Sequence, residues 1–137
     1  MSEGYQIFPV GTIKKRDKDI SIEIDEKFRD ALLGLEQFSH IIVFFWCHGN
    51  DSPDQRNILQ VHPKRHKENP LTGVFATCSP VRPNLIAITI CKILSVAGTT
   101  IQIDAIDAFD DTPVIDIKPY MPKKHLISDA RVPAWAK

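Results

Sequence analysis

The chain has 137 residues, 43% of them hydrophobic and 25% charged, with 17 basic residues balanced by 17 acidic ones. That length and composition suit one globular domain and exclude a disordered chain and a nonspecific polycation. The longest apolar run, residues 41–47, is too short to cross a membrane, and MSEGYQIF lacks the basic-then-apolar layout of a secretion signal.

Residues 5–14 read as a first strand, weakened at Pro9 because proline donates no ladder hydrogen bond. Residues 19–24 alternate cleanly, with Ile20, Ile22 and Ile24 on one side, and predict a half-buried strand. Asp25 is placed to cap a short helix in which Phe28, Ala31, Leu32 and Leu35 recur with helical period, ending near Gly34. The stretch HIIVFFWCH from His40 to His48 predicts a buried strand, rich in β-branched and aromatic residues. A polar turn (49–55) and a basic loop (62–72), broken by Pro63 and Pro70, follow. Residues 85–96 form a long strand with Ile86, Ile88 and Ile90 on one face, and a phase slip near Lys92 that predicts a bulge. Gly98-Thr99 turns the chain into a second hairpin strand at 101–108, and a further strand covers 114–117. The pattern is mainly β, a sandwich or barrel of one domain over 1–137, with 118–137 as an extended tail.

Familiar chemistry is largely excluded. The six glycines are spread too far apart for a phosphate-cradling loop. His40 and His48 share a face of one strand but lie about 26 Å apart along it, too far to hold one ion, and His62 and His66 lack a Cys or acidic partner nearby. No metal is expected. The odd, widely spaced cysteines Cys47, Cys78 and Cys91 predict a reducing cytoplasm without a disulfide framework, with Cys47 and Cys91 as inert packing groups.

Two segments stand out. In ATCSPVRPN, Pro80 and Pro83 stiffen a loop that presents Arg82, suited to carboxylate or phosphate, and Asn84, suited to a nucleobase edge. The same residues would equally serve to tie down neighbouring backbone. In IDAFDDTPVIDIKPY, five acids (Asp104, Asp107, Asp110, Asp111, Asp116) occur without a base between residues 101 and 116. They suit a cationic ligand or simply a solvated hairpin end. Asp116, Lys118 and Tyr120 alternate and so face one way, as acid–base chemistry or a surface ion pair would require. Charge is segregated along the chain. Residues 56–92 hold six basic groups to one acid, and 118–137 hold five to one, a pattern compatible with an RNA backbone.

LLGLEQFSHIIVFFWCH, NPLTGVFATCSPVRPN and IDAFDDTPVIDIKPYMP, with the tail SDARVPAW, resemble the YaeB/TrmO family of S-adenosylmethionine-dependent tRNA methyltransferases, in the manner of short archaeal members. The resemblance implies a small β-barrel, a homodimer, and methylation of N6 of threonylcarbamoyladenosine at position 37 of tRNA. By motif position it implies donor contacts at His48, Gly49, Cys78 and Ile106, Asp107, Ala108 and Phe109. Asp116, Lys118 and Tyr120, with Arg82 and Asn84, would lie beside this site or the RNA; from charge type and alternation Asp116 is the candidate base, with Lys118 or Tyr120 tuning it, and Lys64 and Arg65 of the basic loop are candidate substrate contacts. The chain departs from the family pattern at Cys78 (usually Arg), Leu85 (Pro), Ala87 (Gly) and Asp111 (Gly), and it has KKRDKD where a Pro-Arg-Gln segment is usual. Those departures keep open a small-molecule acceptor, or a dimer that binds S-adenosylmethionine or RNA without turnover.

Overall fold

A computed structural model describes residues 3–137. The chain divides into two compact units, one made of Met1–Trp46 and Ile88–Tyr120, the other of Cys47–Ala87 and Met121–Lys137.

The first unit is a closed barrel. Its strands are β1 (Gly11–Arg16), β2 (Asp19–Ile24) and β3 (His40–Trp46), followed later in the chain by β6 (Ile86–Ala97), β7 (Thr100–Ile103) and β8 (Pro113–Pro119). The order around the barrel is β1-β2-β7-β6-β3-β8, and β8 pairs back onto β1 through Gly11 and Thr12. Alternating β-branched residues explain the closure: Ile13, Ile22, Ile41, Val43, Ile101 and Val114 are fully buried, and on β3 the intervening Ile42 is covered as well. Gly11 is needed because a Cβ there would lie 2.5 Å from the Glu23 carbonyl oxygen. The β6–β7 hairpin turns at Gly98, whose φ of +61° sits in the left-handed region.

The predicted bulge is present, between Ile93 and Ser95 on β6. A second register shift lies between Phe44 and Phe45, where β8 carries the extra residue Ile115. On β6 the isoleucine face points outward, with Ile88 59% and Ile90 52% exposed, while Cys91 on the other face is buried.

Several expectations need correction. Residues 5–10 are not strand; β1 begins at Gly11, after Pro9, and Phe8 instead stacks on Phe28 at 6.0 Å. The capped helix is a 3-10 turn, Glu26–Leu32, and Asp25 makes no side-chain cap hydrogen bond. The turn ends at Leu32, with Leu33 non-helical and Gly34 at φ +90° opening a separate 3-10 turn, Leu35–Gln37. β3 stops at Trp46, and His48 opens a separate 3-10 turn, His48–Asn50, so the two histidines do not share a strand. β7 ends at Ile103, not 108, because the Asp104 carboxylate takes over the backbone pairing. Lys118 and Pro119 belong to β8, and the tail carries an α-helical turn at Pro122–His125 and a 3-10 turn at Ala134–Ala136.

The second unit has little regular structure: β4 (Gln60–Val61) pairs with β5 (Thr72–Gly73), and Pro53–Arg56 forms one helical turn capped by the Ser52 hydroxyl. No helix among the described residues is long and apolar enough to cross a membrane.

Candidate functional site

In the barrel unit, β8 presents Asp116 and Lys118 on its exposed side, with Tyr120 just beyond the strand end. The alternation read from sequence therefore holds. Asp116 Oδ1 accepts the Ile117 amide at 2.8 Å, which leaves its second oxygen for other work. Asp116 also lines a cleft of about 450 Å³ walled by Val10, Phe28, Leu35, Phe38 and Ile117. Lys118 forms no ion pair among the described residues, so the surface Asp116–Lys118 pair is not made. Tyr120 meets the His40 ring edge-on at 6.4 Å, and its amide donates to the His40 carbonyl, tying the end of β8 to the start of β3.

The acidic segment resolves into fasteners and one open stretch. Asp104 Oδ1 accepts the amides of Lys92 and Ala105, and these hydrogen bonds hold its carboxyl below the usual range. Asp110 accepts the Lys15 amide at 2.8 Å, and Asp111 takes Lys14 Nζ at 2.5 Å. That contact raises the Lys14 ammonium's pKa. Asp111 has φ +67°, the geometry a glycine would supply, which a short polar side chain tolerates. Three of the five acids thus secure the 104–111 loop against β1 and β6.

Between these fasteners the loop is open. Ile106 is buried and its carbonyl accepts Lys15 Nζ at 3.1 Å. Phe109 is 81% exposed and Asp107 is exposed. Among the described residues, the amides of Asp107, Ala108 and Phe109 donate to no protein acceptor. Three consecutive available amides beside an exposed ring and a carboxylate suit a ligand with an adenine face, hydroxyls and a positive charge.

In the second unit, the proline-braced loop is fixed by its own arginine. Arg82 Nη1 donates to the carbonyls of Thr77 and Ser79, both at 3.1 Å. Arg56, which sequence reasoning missed, donates from Nε to the Pro83 carbonyl at 2.8 Å and from Nη1 to Asp51. The Cys47 amide donates to the Leu85 carbonyl, joining the chain after β3 to the end of the loop. Cys78 and Asn84 are exposed on that loop. His48 and Gly49 are exposed, and a Cβ on Gly49 would meet nothing within 4 Å. Lys64 and Arg65 are exposed, both in the left-handed region. Among the described residues no His, Cys, Asp and Glu cluster is placed to hold a metal.

This is a closed-barrel protein whose candidate residues occupy loops and the outer side of one strand, not the barrel interior. Residues 6–125 match the family described as the tRNA-methyltransferase O N-terminal domain, and the chain belongs to that family. It is 45% identical over 135 residues to a probable S-adenosyl-L-methionine-binding protein of Pyrococcus horikoshii, covering 95% of this chain and 96% of that one. It is 44% identical over 91 residues to the human tRNA (adenine(37)-N6)-methyltransferase, covering 66% of this chain and 20% of that protein. The crystal structure of TrmO from P. aeruginosa superposes with a TM-score of 0.78 at 27% identity, covering all of this chain and 64% of that chain. The chain thus spans less than two thirds of the solved relative.

Proposed function

We propose that this chain is an S-adenosyl-L-methionine-dependent tRNA methyltransferase whose acceptor is N6 of threonylcarbamoyladenosine at position 37. The family match across residues 6–125 carries the reading, and relatives named for binding the donor and for methylating adenine 37 support it. The enzyme works as a cytoplasmic homodimer. The outward Ile88 and Ile90 of β6 favour self-association, since monomers seldom leave such a stripe exposed.

S-adenosylmethionine, when bound, supplies a sulfonium methyl that is displaced in line, leaving a neutral thioether. The protein's part is to hold, align and deprotonate. In the barrel unit, the open amides of Asp107, Ala108 and Phe109, with the Phe109 ring and the Ile106 side chain, are assigned to the donor. In the second unit His48, Gly49 and Cys78 carry the same assignment by motif position. Asp116 takes the proton from the acceptor nitrogen, so that the new N–C bond forms as that nitrogen becomes neutral. Lys118 and Tyr120, on the same side as Asp116, orient the acceptor. Arg82 and Asn84 serve the RNA, as do Lys64 and Arg65; Arg82 keeps its remaining guanidinium nitrogens for that purpose.

Mass spectrometry of tRNA nucleosides after incubation with the donor tests the reading. The chain adds one methyl to threonylcarbamoyladenosine, and Asp116→Asn slows single-turnover transfer about 100-fold or more. An unchanged nucleoside profile would overturn the activity, and normal turnover in the variant would remove Asp116 as base.

A further inference from the structure

The loop joining β4 to β5 has a conformation that its own sequence disfavours. Lys64 and Arg65 have φ of 57° and 58°, two successive left-handed residues where glycine or asparagine would fit without strain. Neither side chain makes an ion pair or hydrogen bond among the described residues that would offset this. The conformation is imposed from the base of the loop. His62 Nδ1 donates to the Asn69 carbonyl and Asn69 Nδ2 donates to the Pro63 carbonyl, each at 2.8 Å. The amides of Arg65, His66 and Asn69 close successive turns onto His62, Pro63 and His66, and Pro63 is buried beneath them.

The strained tip is also where positive charge concentrates. Residues 64–67 are all exposed and read Lys-Arg-His-Lys. The neighbouring acid, Glu68, is engaged by His66 at 3.3 Å, which leaves Lys64, Arg65 and Lys67 uncompensated in a chain of zero formal net charge. Cations fixed on a clipped backbone match a polymer that carries phosphates at set intervals. A fluid lipid surface would not reward fixed geometry, and flexible lysines would serve it as well.

We infer that the 62–69 loop is a preorganised phosphate clamp for RNA, in which Asn69 and His62 are positioning residues for Lys64, Arg65 and Lys67. The inference rests on the tRNA reading above and extends it from Lys64 and Arg65 to Lys67, His62 and Asn69 and to the backbone geometry that holds them. The test is the full chain titrated with bulk tRNA over a range of salt. Lys64→Gly/Arg65→Gly should raise the melting temperature by relieving the strain, yet weaken tRNA binding about tenfold near physiological salt. The same variant should lower the slope of log K against log salt by about 1.5–2, the signature of two lost phosphate contacts. Asn69→Ala leaves net charge unchanged, so a merely structural role would leave that slope alone; a drop of about 1 or more is expected, with donor binding unaltered. Parent-like slopes in both variants, with tRNA bound normally, would overturn the clamp and leave the methyltransferase reading standing. The clamp is equally overturned if the glycine variant loses binding only to phosphatidylserine vesicles. Failure of the unaltered chain to bind tRNA at any salt would remove both.

Discussion

The barrel unit and the loop unit hold their backbones by opposite means. In the barrel, ladder hydrogen bonds and a shared isoleucine interior bind each strand to two neighbours, so removing one side chain is felt by all. In the second unit, β4 and β5 contribute two residues each, and shape comes from single polar braces: Ser52 on Gln55, Arg56 on Pro83, Arg82 on Thr77 and Ser79, Asn69 on Pro63. A brace is local and separately removable, which suits loops that meet a ligand; a ladder is cooperative, which suits a scaffold.

The sharpest way to break this contrast is in the barrel interior. Ile22→Ala should cost about 3–4 kcal/mol in denaturant unfolding and lower the stability of every barrel strand together. Gly11→Ala, which drives a methyl into the Glu23 carbonyl, should cost about 2–3 kcal/mol without removing any apolar contact. In the loop unit the expected scale is smaller and confined. Arg82→Ala should speed hydrogen exchange of the Ser79 and Val81 amides about tenfold while the barrel amides keep parent protection. Loss of protection across β1 and β2 in that variant would erase the distinction.

The smallest effect is on pH. The Asp104 carboxyl is held low by the Lys92 and Ala105 amides, so its contribution is full above the ordinary carboxylate range and is lost as pH falls through that range toward its depressed value. Because the group is exposed, the stability difference between parent and Asp104→Ala should stay under about 1 kcal/mol near neutral pH and vanish in strong acid.

Where the chain obeys a period, structure is legible in advance. β2 falls on its alternating isoleucines, and the β6 bulge lies close to where the apolar phase slips. Structure made by contact at a distance is not legible in this way. Tyr5 to Val10 alternates well enough for a strand, yet only Val10 pairs with neighbouring backbone, at Val114 and Asp25, and Phe8 is taken up in a stack on Phe28. The α-helix expected after Asp25 shortens to 3-10 geometry because helical period over one turn does not decide hydrogen-bond length. The helical turn at Pro53 does carry a signal, Ser52-Pro53, a cap followed by an N1 proline, which the polar composition of residues 49–55 obscures. At the candidate site, alternation locates Asp116 and Lys118 on one side of a strand. The division of the acids into loop fasteners and an open stretch depends on Lys14, Lys15 and Lys92, which are remote in sequence. Arg56 carries no motif at all, and only its partner at Pro83 gives it meaning.

The three thiols occupy very different surroundings. Cys91 lies inside the barrel wall, where burial pushes its pKa up to about 12, and Cys78 lies exposed on the proline-braced loop. A maleimide dye at neutral pH therefore attaches at Cys78 well before Cys91. The molecule comes with its own attachment point for a fluorophore, on the loop that Arg82 and Arg56 brace.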